Sequence, residues 1–143
     1  MEILKLKYEA ANKAICSLKK AIAAIEIQPD PNMILPFYDA EENYKMRRDS
    51  LIHRFEFSVD ALWKYCKEFL FEDRGVKHDS PKSVFRACHA IGLVTALETE
   101  ILIEMIDDRN LTTHTYKEDL AERISKKIPD YGKLMEKLLE AAK

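Results

Sequence analysis

From Ile52 to Phe69 the chain sets Ile52, Phe55, Val59, Leu62, Cys66 and Phe69 at alternating gaps of three and four residues. An α-helix returns a side chain to the same side about every 3.6 residues, so these positions form one stripe, the seam of a helix in a bundle. A strand alternates its faces residue by residue and cannot present that stripe. The spacing predicts a helix over about 40–71, with Phe57, Trp63 and Leu70 widening the seam enough for two neighbours. A second stripe, Leu4, Tyr8, Ala11, Ile15, Leu18, Ile22 and Ile25, predicts a helix over about 3–27, stopped by Pro29 and Pro31. Only three glycines occur in 143 residues, which is few for a protein built from hairpins.

Residues 28–38 read as a loop by their prolines, yet hold Met33, Ile34, Leu35, Phe37 and Tyr38, which suits a loop packed onto the bundle or onto a second chain. Ser80-Pro81 is a helix start, serine as cap and proline at the first helical position, for a short helix carrying Val84, Phe85, Cys88 and Ile91 as far as Gly92. Thr95-x-x-Glu98 is a capping box opening a fourth helix, and Thr115-x-x-Glu118 is another opening a fifth. Pro129 is expected to end the fifth, leaving Tyr131, Leu134, Leu138 and Leu139 to a last helix. The expected fold is all-α: one domain over 1–143, an up-and-down antiparallel bundle of four main helices plus short ones.

With 47% hydrophobic and 34% charged residues the composition is that of a soluble globular domain. The net charge of −2 lacks the basic excess usual in nucleic-acid binders, so contact with RNA would have to use a local patch. No apolar run is long enough for a membrane span and the first residues show no signal-peptide pattern, so a cytoplasmic protein is expected. Cys16, Cys66 and Cys88 form no C-x-x-C pair and read as reduced, buried thiols. No histidines or cysteines fall at ligand spacing on one turn, so neither a metal nor another cofactor is expected.

The segment from Asp107 to Tyr116 is the one with chemical content. If the fourth helix ends here and the fifth begins at Thr115, Arg109 leaves one helix and His114 enters the next, both towards one crevice. The planar arginine fork suits a phosphate, and histidine can take or give a proton near neutrality. Backbone N–H groups at the start of the fifth helix add anion affinity, a combination that suits phosphodiester chemistry without a metal. On spacing alone, an arginine and a histidine five apart are more often a surface pair or a cap, and a tyrosine such as Tyr116 more often packs.

The run Arg109-Asn110-x-x-x-His114-x-Tyr116 resembles the R-x4-H-x-Y signature of the HEPN family, in the nucleotidyltransferase substrate-binding or HepT-like toxin branch. Further text resembling that branch includes Arg48-Asp49-Ser50-Leu51-Ile52, Arg54-Phe55-Glu56-Phe57, Leu62-Trp63-Lys64, Ser80-Pro81 with Val84-Phe85-Arg86, and Asp107-Asp108. The resemblance implies a homodimeric, metal-independent ribonuclease in which Arg109 stabilises the phosphate, His114 moves the proton and Asn110 supports the geometry. It also implies a cognate minimal nucleotidyltransferase that silences the toxin by adding AMP to Tyr116. The other reading of the branch is a non-catalytic subunit that holds substrate for the nucleotidyltransferase. Asp107 and Asp108 are expected to orient Arg109 by charge-assisted hydrogen bonds. Arg48, His53 and Arg54 on the second helix suit either interhelical polar contacts or the rim of an RNA site.

Overall fold

The structure is a computed structural model that describes residues 2–26, 39–114 and 117–143. Among these it has five helices and no strand: α1 (Glu2–Glu26), α2 (Ala40–Arg74), α3 (Pro81–Ala90), α4 (Ala96–His114) and α5 (Glu118–Ala141). The segment 27–38, expected to be an apolar loop packed down on a protein surface, lies outside the described residues.

Side-chain ties fix the directions of the helices. Lys7 pairs with Glu68, and Arg54 reaches the carbonyl of Ser17, so α1 and α2 run antiparallel. Glu104 and Glu98 meet Lys127 and Lys137 in reverse order, so α4 and α5 are antiparallel too. Arg48 meets Glu122 while Tyr65 meets Ala142, so α5 runs alongside α2 in the same direction. Helices α1, α2, α4 and α5 therefore go up, down, up and down, with short α3 in the link between α2 and α4. Helix α2 touches every other helix. Its seam is the centre of the core: Phe55, Val59, Leu62 and Cys66 are fully buried, with Leu18, Phe85, Met105, Ile128 and Met135 from the other four helices.

The ends of the elements follow local chemistry. Asp39 caps α2 by accepting from the Glu42 N–H at 2.8 Å, and Gly75, at φ +70°, closes it in a conformation that a Cβ would strain. Ser80 caps α3 with Pro81 in its first turn. The Thr95 box is reciprocal: the Glu98 N–H donates to Thr95 Oγ1 at 3.1 Å, and the Thr95 N–H donates to Glu98 Oε1 at 3.0 Å.

Three expectations are corrected. Pro129 does not end a helix, because α5 continues through it to Ala141. A mid-helix proline costs about 3 kcal/mol, but Ile124 and Ile128 before it and Tyr131, Met135 and Leu138 after it are all buried along one stripe. Each such side chain returns about 1.5–3 kcal/mol only if the helix stays in register. Phe57 does not widen the seam of α2; it is 61% exposed. Cys16 is exposed, and only Cys66 and Cys88 are buried thiols. No described helix is long and apolar enough to cross a membrane.

Two buried phenols tie the bundle together. The Tyr65 hydroxyl donates to the carbonyl of Ala142, and the Tyr131 hydroxyl donates to Asp108 Oδ2 at 2.5 Å. Burial pushes the Tyr65 phenol up to about 12, and burial reinforced by Asp108 raises Tyr131 as well. An acid whose proton is held more tightly in the folded chain adds stability below its unfolded pKa of about 10, and that stability is lost as pH rises through the folded value. The folded chain should therefore lose stability steadily above pH ~10, with part of its tyrosine absorbance change delayed until the unfolding step. Ionisation of all the tyrosines together near pH ~10 in a chain still folded by circular dichroism would contradict this.

Candidate functional site

The last turns of α4 lie against the middle of α2. There Glu56 and Asp60, one helical turn apart, share a side of α2 and meet Arg109. Arg109 donates from Nε to Asp60 Oδ1 at 3.1 Å and from Nη2 to Asp60 Oδ2 at 2.8 Å, a two-pronged pairing that fixes the plane of the guanidinium. Its Nη1 lies 3.7 Å from Glu56 Oε2 and contacts Thr113 Oγ1, whose hydroxyl donates to the same Glu56 oxygen at 3.1 Å. Asp60, by hydrogen bond and charge, raises the Arg109 pKa further, with Glu56 adding to it. The Arg109 side chain as a whole is about one-fifth exposed.

Asp60 and Glu56, and not the expected Asp107 and Asp108, orient Arg109. Neighbouring helical residues point about 100° apart, so the three consecutive side chains part company. Asp107 pairs with Lys82 at 2.6 Å, whereas Asp108 is buried and takes Tyr131 and, at 3.3 Å, Lys127, both on α5. The signal for the true partners is the spacing Glu56-x-x-x-Asp60, two acids one turn apart on the helix of the seam.

Helix α4 also runs further than expected. His114 is its final residue, so positions 109 and 114 belong to one helix, about 140° apart around its axis. Helix α5 starts at Glu118 with Lys117 in the cap position, not at Thr115. Lys117 makes no side-chain cap bond to the N–H groups of the first turn of α5. Asn110 is exposed on α4. The side chain of His114, together with Thr115 and Tyr116, lies outside the described residues.

The other three candidates separate. Arg48 is buried and spends its guanidinium on Glu118 at 2.8 Å, Glu122 at 3.2 Å and Asp49 at 3.3 Å. It is a strut between α2 and α5; with Tyr44, the stronger influence, it holds the Glu122 carboxyl below the usual range. Arg54 donates to the Ser17 carbonyl at 3.2 Å and ties α2 to α1. His53 is exposed, packs edge-on against Phe57 with ring centroids 4.9 Å apart, and lines a cleft of about 230 Å³. That cleft lies between α2, the end of α4 and the first turn of α5, with Glu56 and Thr112 in its wall. Glu56 thus connects the Arg109 cluster to the cleft. No three His, Cys, Asp or Glu side chains among the described residues are grouped to hold a metal ion.

A family described as nucleotidyltransferase substrate binding protein like matches residues 6–143. A solved protein of Thermus thermophilus is 35% identical, with a TM-score of 0.75 over 93% of this chain and 98% of its own. A chain of a toxin–antitoxin complex solved with AMP-PNP is 16% identical, with a TM-score of 0.71 over 100% of this chain and 99% of its own. A chain from the complex of the tri-AMPylated HEPN toxin of Shewanella oneidensis with MNT antitoxin is also 16% identical, with a TM-score of 0.63 over 92% of this chain and 95% of its own. These last two share the fold. No curated protein sequence matches the chain.

Proposed function

The chain belongs to the nucleotidyltransferase substrate-binding-protein-like family of HEPN-type bundles, and from that premise we propose that it is a metal-independent endoribonuclease toxin held in check by a minimal nucleotidyltransferase. The observation that carries this is the placing of Arg109, the first residue of the R-x4-H-x-Y motif. Two bonds from Asp60 fix its guanidinium, and its neighbour Glu56 lines an open cleft. In the reaction a ribose 2′-hydroxyl attacks the adjacent phosphorus and His114 takes its proton. Arg109 stabilises the charge that grows on the phosphoryl oxygens, and as the P–O5′ bond breaks the 5′-oxygen takes a proton from solvent water, leaving a 2′,3′-cyclic phosphate. Asn110 supports this geometry. Two copies of the chain bring their motifs together, and exposed Phe57 on α2, next to Glu56, suits that contact. The partner nucleotidyltransferase transfers AMP from ATP to the Tyr116 hydroxyl. The added phosphate then pairs with Arg109 and denies that place to RNA.

A second reading draws support from the acidic surroundings of Arg109. With Asp60 and Glu56 beside it, little of its charge is left for a polyanion, which suits a non-catalytic subunit that holds substrate for the nucleotidyltransferase.

One set of measurements separates the two. Light scattering should give a dimer, RNA should be cut in the presence of EDTA, and incubation with the nucleotidyltransferase and ATP should add AMP to the wild type but not to Tyr116→Phe and stop the cutting. A monomer, or cutting that EDTA abolishes, contradicts the toxin reading. An intact RNA substrate under all conditions favours the binding subunit.

A further inference from the structure

The cleft beside Arg109 has a composition of its own. Its floor is apolar: Ile52 and Ala121 are buried, and Leu120 joins them from the first turn of α5. Its rim carries Asp49, His53 and Glu56 from α2, Thr112 from α4 and Lys117 at the head of α5; Asp49 is already engaged by Arg48. At about 230 Å³ it is smaller than the usual pocket for a drug-sized molecule, about 300–1,000 Å³. It has room for one flat heteroaromatic ring system and not for two.

The hydrogen-bonding capacity of the rim narrows the choice of ring. Glu56 Oε2 is taken by Thr113 and faced by Arg109, while Oε1 accepts no bond among the described residues. An ionised carboxylate only accepts, so that oxygen calls for an N–H donor. Thr112 spends its hydroxyl proton on the Arg109 carbonyl at 2.7 Å, so its oxygen too is left as an acceptor. Adenine, cytosine and guanine carry an exocyclic amine. Uracil carries no exocyclic amine: its one donor on that edge, N3–H, lies between two carbonyl oxygens, and these would be set against the carboxylate on either side. Lys117 is exposed, lines the same cleft and has no partner among the described residues, which leaves a cation for a phosphate attached to a seated base.

We infer that this cleft is a nucleobase subsite, with an apolar floor for the ring, Glu56 for an exocyclic amine and Lys117 for the attached phosphate, and that it selects adenine, cytosine or guanine over uracil. Its place next to the scissile phosphodiester rests on the ribonuclease reading above; the base preference does not. A hydrogen bond to a charged partner, kept in one case and replaced by repulsion in the other, is worth at least about tenfold in affinity.

The test is calorimetric titration of the full chain with AMP, CMP, GMP and UMP, beside an RNA cleavage assay. The three amine-bearing nucleotides should bind at least about tenfold more tightly than UMP. Glu56→Gln supplies a donor as well as an acceptor, and Asp60 still holds Arg109 by two bonds, so UMP should rise to within about threefold of the others. Lys117→Ala should weaken all four by a similar factor and leave their ranking intact. Equal affinity for the four, no binding at all, or a ranking that Glu56→Gln leaves unchanged in a folded protein overturns the subsite. If the ranking holds and no RNA is cut, the ribonuclease reading fails and the base site stands. If RNA is cut and the ranking is absent, the reverse holds.

Discussion

Arg109→Ala should lower the RNA cleavage rate by about 10²–10³, the usual effect of removing one preorganised donor from developing charge. His114→Ala should lower it by about 10²–10⁴, the range for a positioned acid–base group. Both residues lie in the last turns of α4 and neither is among its buried core residues Leu102, Met105 and Ile106, so both variants should keep the circular dichroism of the wild type. Arg109→Lys keeps the charge but loses the planar fork that meets Asp60 through two nitrogens, and should recover only part of the lost rate. Asp60 acts through Arg109 as a positioning residue. Asp60→Asn keeps one acceptor and loses the matched pair of oxygens, and should cut kcat by roughly tenfold with little change in KM. Single-turnover cleavage of one RNA by the four variants reads all of this. Wild-type rates in both alanine variants would remove the assigned chemistry, and a wild-type rate in Asp60→Asn would leave Asp60 a structural ion pair only.

Phe55→Ala should be the most damaging single truncation near the site. Phe55 is fully buried and stacks on Tyr131 of α5, ring centroids 5.7 Å apart and planes 17° from parallel. Emptying such a position costs about 3–5 kcal/mol, because the surrounding helices close the void only in part. For a chain of this size that is a fall in melting temperature of roughly 10 °C or more. The loss extends to function, since Glu56 and Asp60 follow on the same stretch of α2 and the Asp108–Tyr131 bond lies behind the ring. Urea unfolding gives the number directly. A loss below about 1 kcal/mol would mean that the stacked pair is not the keystone of the contact between α2 and α5.

What could be read from the sequence was whatever local chemistry decides. The seams of α1 and α2, the serine–proline start of α3 and the Thr95 box each rest on residues within a turn or two of one another, and the structure has them where the pattern puts them. Pro129 misled because its cost is local while the burial that outweighs it comes from α1, α2 and α4. Arg48 was open to two readings for a similar reason: its interhelical partners, Glu118 and Glu122, lie some 70 residues later. The Arg109 segment was legible as the stretch with chemical content, but the residues that hold Arg109 were not. Adjacent acids in a string look close, whereas on a helix the residues that meet Arg109 come from another helix altogether.

Helix α5 lies along α2 and reaches it only after everything else in the bundle. A ribosome delivers the chain N-terminus first, at about 5–20 residues per second. The α1–α2 hairpin can close early, but the side of α2 that carries Phe55 and Tyr65 has to wait uncovered until Tyr131 and Ala142 are made. The cleft has Leu120 and Ala121 of α5 in its floor, so it takes shape only when that helix docks. The step at which α5 closes on α2 is therefore both the step that covers this side of the core and the step that completes the cleft.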